Sequence, residues 1–148
     1  HAVIIGEHGD SELAVWSGAN ISGIDLPPFC ELRGYMSDEK NMREIYENVR
    51  DSAYEIIERK GATYYGIAMA VARISECIVK DEQSILPVSA ALEGEYGLEG
   101  LSLSVPSILG RTGVEKVLEI PLSPKERSEL TASAENLKKV IEEIGLTT

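Results

Sequence analysis

The residues best suited to do chemistry lie together near the start of the chain, at positions 6–11 (Gly-Glu-His-Gly-Asp-Ser). His8 stands in the middle of this segment, and imidazole is the side chain that exchanges a proton near neutral pH. The apolar run at 1–5 predicts a buried strand, and a glycine-containing turn after it can hold a side chain at a sharp bend. From the pattern alone, His8 is either an acid/base group or a hydrogen-bonded turn histidine.

Other chemistries at the same turn are disfavoured. A metal site is not expected because Glu7, His8 and Asp10 are close neighbours in an extended turn, where their side chains point in different directions. A Ser-His-Asp triad that uses Ser11 has little support because the sequence contains no Gly-x-Ser-x-Gly elbow. Asp10 is predicted to cap or brace the turn, and Glu7 is predicted to be solvated.

A few residues further along the chain are also candidates for a site. Thr63 lies at the junction of two predicted helices, where it either caps the second helix or presents its hydroxyl to a ligand at the helix N-terminus. Trp16 and Phe29 are predicted to belong to the core. Cys30 and Cys77 are too few for a disulfide framework and are predicted to be buried thiols.

The elements that position these residues are predicted from hydrophobic periodicity and turn signals. Apolar residues at three- and four-residue steps predict helices, and a Leu-Ser-Leu-Ser-Val alternation predicts a half-buried strand. Ser-Pro-Lys-Glu at 123–126 is a capping box that begins the last helix. The predicted elements are strands at 1–5 and 12–22, a loop at 23–34, a helix at 38–59 with Ser37 as N-cap, a helix at 63–79 packed on most sides, strands at 84–92 and 100–105, a hairpin at 108–120 and a final helix that Gly145 ends.

The order of these elements favours an α+β domain with antiparallel sheet, since strands and helices do not alternate as in a doubly wound fold. No Gly-x-Gly-x-x-Gly follows a strand. The 148 residues fit one domain, and a net charge of −11 argues against binding nucleic acid or an anionic membrane. The few cysteines favour a cytoplasmic location. Because the chain opens at His1 inside a strand, we expect it to be part of a longer protein.

Two segments carry a resemblance to a known family. Residues 4–11 (Ile-Ile-Gly-Glu-His-Gly-Asp-Ser), followed by Val-Trp-Ser at 15–17, resemble the catalytic-histidine signature of L-lactate dehydrogenases. Residues 60–69 (Lys-Gly-Ala-Thr-Tyr-Tyr-Gly-Ile-Ala-Met) resemble the bacterial form of that family's next signature. The resemblance extends over essentially the whole chain. It implies that the chain is the C-terminal substrate domain of a bacterial, NAD-dependent L-lactate dehydrogenase, with antiparallel sheets packed against long helices. The resemblance also implies that the whole enzyme is a cytoplasmic homotetramer that acts in glycolysis and fermentation.

The resemblance also implies roles for individual residues. His8 would donate a proton to the carbonyl oxygen of pyruvate, or accept one from the hydroxyl of L-lactate, as hydride passes between substrate and NAD. Thr63 would contact the substrate, Ala53 would form part of the pocket wall, and Ile67 would pack on the nicotinamide ring. His1 matches the position that binds a phosphate of the activator fructose 1,6-bisphosphate, the alternative being a frayed terminal residue. No metal is implied.

The resemblance places other parts of the enzyme before His1. These are the NAD-binding Rossmann domain, the aspartate that holds the catalytic histidine, and two arginines that bind substrate, so we expect the chain alone to be inactive. Asp10 does not take that aspartate's place. Malate dehydrogenase of the lactate-like kind stays open as an alternative, although Thr63 favours lactate. A second alternative is a non-catalytic module for oligomerisation or effector binding, with the helices at 38–59 and 63–79 as its interface.

Overall fold

The structure, a computed structural model, describes residues 1–35 and 39–145. Seven strands and four helices are found in this part of the chain. None of the helices in it is both long and apolar enough to cross a membrane. In chain order the elements are β1 (Ile4–Ile5), β2 (Leu13–Ala14), β3 (Asn20–Ile21), β4 (Ile24–Asp25), α1 (Leu26–Leu32), α2 (Glu39–Lys60), α3 (Tyr65–Lys80), β5 (Ser84–Glu93), β6 (Glu99–Gly110), β7 (Gly113–Val117) and α4 (Pro124–Glu143), with 3-10 turns at Trp16–Gly18 and Glu95–Gly97.

The largest sheet is antiparallel, with strand order β5-β6-β7. Leu101, Leu103 and Val105 alternate along β6 and are buried, while Ser102 between them is exposed, as the two-residue period of a strand requires. Two small hairpins, β1-β2 and β3-β4, complete the strands. The predicted α+β fold with antiparallel sheet is therefore confirmed.

Helix α4 closes the core over the first hairpin and the large sheet. Its N-terminus has the predicted capping box, in which the Ser123 hydroxyl accepts from the Glu126 amide at 3.3 Å and the Glu126 carboxylate accepts from the Ser123 amide at 2.7 Å. Leu130 and Ala134, one turn apart, are each 1% exposed. The core cluster consists of Ile5, Leu13, Val15, Ala90, Leu92, Tyr96, Leu101, Leu103, Val105, Leu130 and Ala134.

Two predictions near the start of the chain are wrong. The strand predicted at 12–22 is only two residues long as β2, after which the chain turns through the 3-10 turn into β3. The loop predicted at 23–34 contains β4 and helix α1. The two prolines that indicated a loop stand in the first turn of α1, where a residue without an N–H leaves no helical hydrogen bond unmade.

The two predicted central helices are confirmed as α2 and α3, while the predicted N-cap Ser37 and its neighbour Asp38 lie outside the described residues. The prediction that the second of these helices is packed on most sides is wrong for this chain. Only Cys77 of α3 is buried, and its thiol donates to the carbonyl oxygen of Leu109 in β6 at 3.2 Å. One strand cannot cover a helix that is apolar all round, so most of its apolar side chains are exposed.

Three predictions of burial are also only partly right. Cys77 is buried as predicted, but Cys30 is half-buried. Trp16 and Phe29, predicted to belong to the core, are half-buried too. Each of these side chains lies on or beside the short elements that the sequence did not reveal, namely the 3-10 turn and α1.

Candidate functional site

His8 lies in the turn that joins β1 to β2. The turn begins at Gly6, whose backbone exchanges two hydrogen bonds of 2.9 Å with Ser104 of the long strand β6. Gly6 has a φ of +101°, and a Cβ there would lie 2.9 Å from the hydroxyl oxygen of Ser133 in α4. Only glycine combines this backbone conformation with so close an approach of the helix.

Glu7 folds its carboxylate back over the turn. The Ser11 hydroxyl donates to this carboxylate at 2.6 Å and the Ser11 amide donates to it at 3.3 Å. Gly9 leaves space for the carboxylate, because a Cβ at that position would lie 2.2 Å from Glu7 Oε1. The prediction that Glu7 is simply solvated is therefore wrong, since its side chain closes the loop that carries His8.

Helix α2 contacts the same turn from another side. The Tyr54 hydroxyl donates to the Asp10 carboxylate at 2.9 Å, which confirms that Asp10 braces the turn. The Tyr46 hydroxyl donates to the carbonyl oxygen of Glu12. Ala53 lies on the Tyr46 side of α2, because two residues seven apart point in nearly the same direction from a helix.

Charged groups surround the turn. Burial raises the pKa of the Glu12 carboxyl, His8 and Arg50 act to lower it, and Glu7 acts to raise it. Burial and the nearby Glu12 carboxylate also raise the pKa of the Tyr46 hydroxyl. Glu12 is thus within electrostatic reach of both the histidine and an arginine of α2.

The His8 side chain itself is exposed. Its imidazole makes no hydrogen bond to any of residues 1–35 and 39–145. Within these residues, the alternative of a hydrogen-bonded turn histidine therefore finds no support. The backbone on both sides of His8 is fixed, while neither ring nitrogen is hydrogen-bonded within the described residues. This arrangement suits proton transfer to a molecule that approaches from outside the chain.

The other predicted site residues lie on α2, on α3 and in the loop between them. Ala53, Thr63 and Ile67 are all exposed, and no hydrogen bond or ion pair joins them to the histidine turn in the described part of the chain. Thr63 does not cap α3, whose N-cap is Tyr64 without a side-chain hydrogen bond. The Lys60 ammonium instead lies 5.4 and 5.0 Å from the ring centres of Tyr64 and Tyr65, within the range of a cation–π contact.

His1 is exposed, and its carbonyl oxygen accepts from the Asn20 amide at 2.9 Å. Its backbone is therefore anchored beside β3 rather than frayed. Residues 1–35 and 39–145 contain no group of three or more His, Cys, Asp or Glu side chains that could hold a metal ion.

A cleft of about 640 Å³ opens between β2, α2 and α4. Ser11 and Glu12 of the histidine turn line it together with Tyr46, but His8, Thr63 and Ile67 do not. The predicted site residues are thus not gathered around this cavity. They lie on open surface.

Two residues that brace the turn, Ser133 and Tyr54, were missed from the sequence. Ser133 carried a signal, since it lies three residues after Leu130 and one before Ala134 and therefore interrupts the apolar stripe of α4 with a hydroxyl. A polar residue on a buried stripe needs a hydrogen-bond partner. Tyr54 carried no comparable signal, because a tyrosine on a half-exposed helix face is common.

Comparisons with known proteins find similarity over nearly the whole chain. Residues 1–146 match the family described as lactate/malate dehydrogenase, alpha/beta C-terminal domain. The chain is 51% identical over 146 residues to the L-lactate dehydrogenase of Thermoanaerobacter pseudethanolicus, covering 99% of this chain and 47% of that protein. It is 48% identical over 144 residues to L-lactate dehydrogenase 1 of Clostridium acetobutylicum, covering 97% and 46%.

Solved structures give the same result. The minor L-lactate dehydrogenase from Enterococcus mundtii, in its ligands-bound form, matches with a TM-score of 0.92 and 40% identity over 99% of this chain and 46% of that one. A lactate dehydrogenase from a Medee basin deep-sea metagenome library matches with a TM-score of 0.88 and 40% identity over 96% and 45%. The chain spans about half the length of the curated relatives that it matches.

Proposed function

The chain belongs to the lactate/malate dehydrogenase family, through its alpha/beta C-terminal domain, and on this premise we propose that it is the substrate-side domain of an NAD-dependent L-lactate dehydrogenase. The observation that carries the proposal is the exposed imidazole of His8 on a turn fixed from both sides. The relatives of this chain that are named L-lactate dehydrogenase support the choice of reaction.

His8 supplies the acid and base of the proposed reaction. In the direction of reduction its protonated imidazole donates a proton to the carbonyl oxygen of pyruvate, and in the direction of oxidation its neutral ring accepts the hydroxyl proton of L-lactate. A histidine suits both directions because imidazole changes its protonation near neutral pH. The fixed backbone on either side of His8 holds the ring where a bound substrate meets it.

NAD, when bound, supplies or accepts the hydride. The chain offers little of a dinucleotide site, since its sequence has no Gly-x-Gly-x-x-Gly after a strand to hold the phosphates. It does offer Ile67, an apolar side chain that is 59% exposed on α3 and suits one face of the nicotinamide ring. We infer that a separate Rossmann domain binds the rest of NAD, and that Thr63 and Ala53 form part of the substrate pocket.

We extend the proposal to regulation and assembly. His1, exposed on an anchored backbone, suits a phosphate of fructose 1,6-bisphosphate as activator. The exposed apolar side chains of α3, of which Met69 is 72% exposed, suit cover by another domain or by a subunit of a homotetramer. Cytoplasmic location follows from the proposed role in glycolysis and fermentation.

The experiment that tests the function joins this domain to its dinucleotide-binding half and measures NADH oxidation with pyruvate and with oxaloacetate. We expect a preference for pyruvate, and the variant His8→Gln is expected to lose about 10²- to 10⁴-fold in kcat. Because His8 is exposed, the thermal unfolding temperature of His8→Gln is expected to stay close to that of the wild type. A preference for oxaloacetate would assign malate dehydrogenase instead, and wild-type kcat in His8→Gln would remove the histidine from the mechanism.

A further inference from the structure

We propose that Ser133 of α4, acting together with Glu7, is a positioning residue for His8. This inference rests on the proposed function, because it concerns the placement of the imidazole that the function uses. Neither residue touches the reacting atoms. Both act through the backbone of the turn.

The Ser133 hydroxyl is the contact between the helix and the turn. Ser133 is 1% exposed, and its hydroxyl oxygen accepts from the Glu7 amide at 2.8 Å. The same oxygen lies 3.3 Å from the Ser11 hydroxyl on the far side of the turn. One buried side chain therefore reaches both ends of the segment that holds His8.

Glu7 extends this contact across the turn. Its carbonyl oxygen accepts from the Gly9 amide at 3.0 Å, and its carboxylate accepts from the amide and the hydroxyl of Ser11. The peptide groups on both sides of His8 are thus bonded, although the imidazole itself has no hydrogen bond in the described part of the chain. The backbone of the turn therefore sets the point from which the His8 side chain projects.

The position of Ser133 on α4 indicates that the hydroxyl serves this contact. Its neighbours Leu130 and Ala134 belong to the core cluster, and a hydroxyl in such surroundings is unfavourable unless it is hydrogen-bonded. Alanine would satisfy the core at least as well and would favour the helix. What alanine would not do is accept the Glu7 amide, which would then lose its partner at a part-buried site.

The expected consequence is a loss in the chemical step. Proton transfer needs the donor and acceptor atoms within hydrogen-bond reach, and a displacement of about 1 Å can lower the rate by about 10²-fold. A turn released from α4 keeps its sequence and its imidazole. It loses the fixed placement of that imidazole relative to the substrate.

The first test follows the backbone directly, by amide hydrogen exchange on the 148-residue chain. In Ser133→Ala we expect the Glu7 amide to exchange about tenfold faster, as for a lost hydrogen bond, while the Gly6 amide, bonded to Ser104, changes much less. Ser128→Ala, an exposed serine on the same helix, is the matched control and is expected to alter neither amide. An unchanged Glu7 amide in Ser133→Ala would overturn the proposal.

The second test uses the enzyme with both domains. In Ser133→Ala we expect kcat for pyruvate to fall about tenfold with KM within about twofold, and Ser128→Ala to keep wild-type values. A lower unfolding temperature with an unchanged kcat would show a merely structural role and overturn the proposal. Glu7→Gln, a half-buried surface position, provides a second variant that spares the core, and a fall in its kcat of several-fold is expected.

The two tests separate this inference from the proposed function. If the wild-type enzyme fails to reduce pyruvate, the proposed function falls, and the positioning of His8 for that reaction falls with it. The exchange experiment would still show whether Ser133 holds the turn. If the wild type is active and Ser133→Ala has wild-type kcat, only the positioning role is refuted.

Discussion

Replacing Glu126 with glutamine tests how the first turn of α4 is held. Glu126 is 5% exposed, and its carboxylate accepts three hydrogen bonds, from the amide of Ser17 at 2.9 Å, from the hydroxyl of Ser17 and from the amide of Ser123 at 2.7 Å. A glutamine side chain keeps one oxygen acceptor and turns an NH₂ group toward the remaining donors. The loss of one charge-assisted bond to a backbone amide is expected to lower the free energy of unfolding by about 2 kcal/mol.

The loss is expected to depend on pH. Burial acts to raise the pKa of the Glu126 carboxyl, but the hydrogen bonds from Ser17 and Ser123 outweigh it and hold the pKa below its ordinary value of 4.5. A carboxyl whose pKa is lower in the folded state stabilises the fold above its unfolded pKa and stops doing so as the pH falls through its folded pKa. The advantage of the wild type over Glu126→Gln should therefore be complete at neutral pH and shrink below about pH 4.5.

Urea denaturation of both proteins, in steps from pH 7 to about pH 3, measures this difference. The matched control is Glu129→Gln, because Glu129 lies on the same helix but is exposed, and its substitution is expected to change the unfolding free energy by less than about 0.5 kcal/mol. Equal unfolding midpoints for the two variants at pH 7 would refute the reasoning. A difference that persists unchanged to the lowest pH would refute the role assigned to the carboxylate charge.

Three further predictions concern the core, the turn and the chain as a whole. Leu130 is 1% exposed, and Leu130→Ala is expected to lower the free energy of unfolding, measured by urea denaturation, by about 2–5 kcal/mol. Val140 is 51% exposed on the same helix, and Val140→Ala is expected to lower it by less than about 0.5 kcal/mol. Equal losses would contradict the packing described for α4. In the enzyme with both domains, Gly9→Ala is expected to lower kcat about tenfold, because its Cβ would lie 2.2 Å from the Glu7 carboxylate. The control is Gly18→Ala, whose Cβ would meet only an ordinary contact at 3.7 Å. Similar kcat values for the two variants would show that the Glu7 carboxylate does not position the turn. The 148-residue chain alone is expected to show no oxidation of NADH with pyruvate in a spectrophotometric assay, and measurable turnover would refute the need for a second domain.

The features that were predictable from the sequence are those with local causes. The capping box of α4 lies within four residues, 123–126, and the alternation in β6 is read from neighbours two apart. The placement of His8 in a turn after a strand is local in the same sense. Each could be inferred because the residues that cause the structure adjoin it in the sequence.

The features that escaped prediction depend on partners far along the chain. The strand predicted at 12–22 breaks where the Ser17 amide and hydroxyl bind Glu126, 109 residues away. The amide of Glu7 binds the hydroxyl of Ser133, 126 residues away, and nothing near Glu7 in the sequence indicated that α4 would approach. The burial of the apolar helix α3 was overestimated for another reason. Periodicity shows which side chains of a helix are apolar, but it does not show whether another element covers them.

The contact between Glu7 and Ser133 spans 126 residues, and this has a consequence for how the protein is made. The histidine turn leaves the ribosome long before α4, because translation runs from the N-terminus and adds roughly 5–20 residues per second. For several seconds the nascent turn lacks the contact with α4, and contacts so distant in sequence form late in folding. The histidine that we propose for catalysis is thus among the first residues translated and among the last to be held from every side, so that a chain whose translation ends before α4 has a turn without its Ser133 contact.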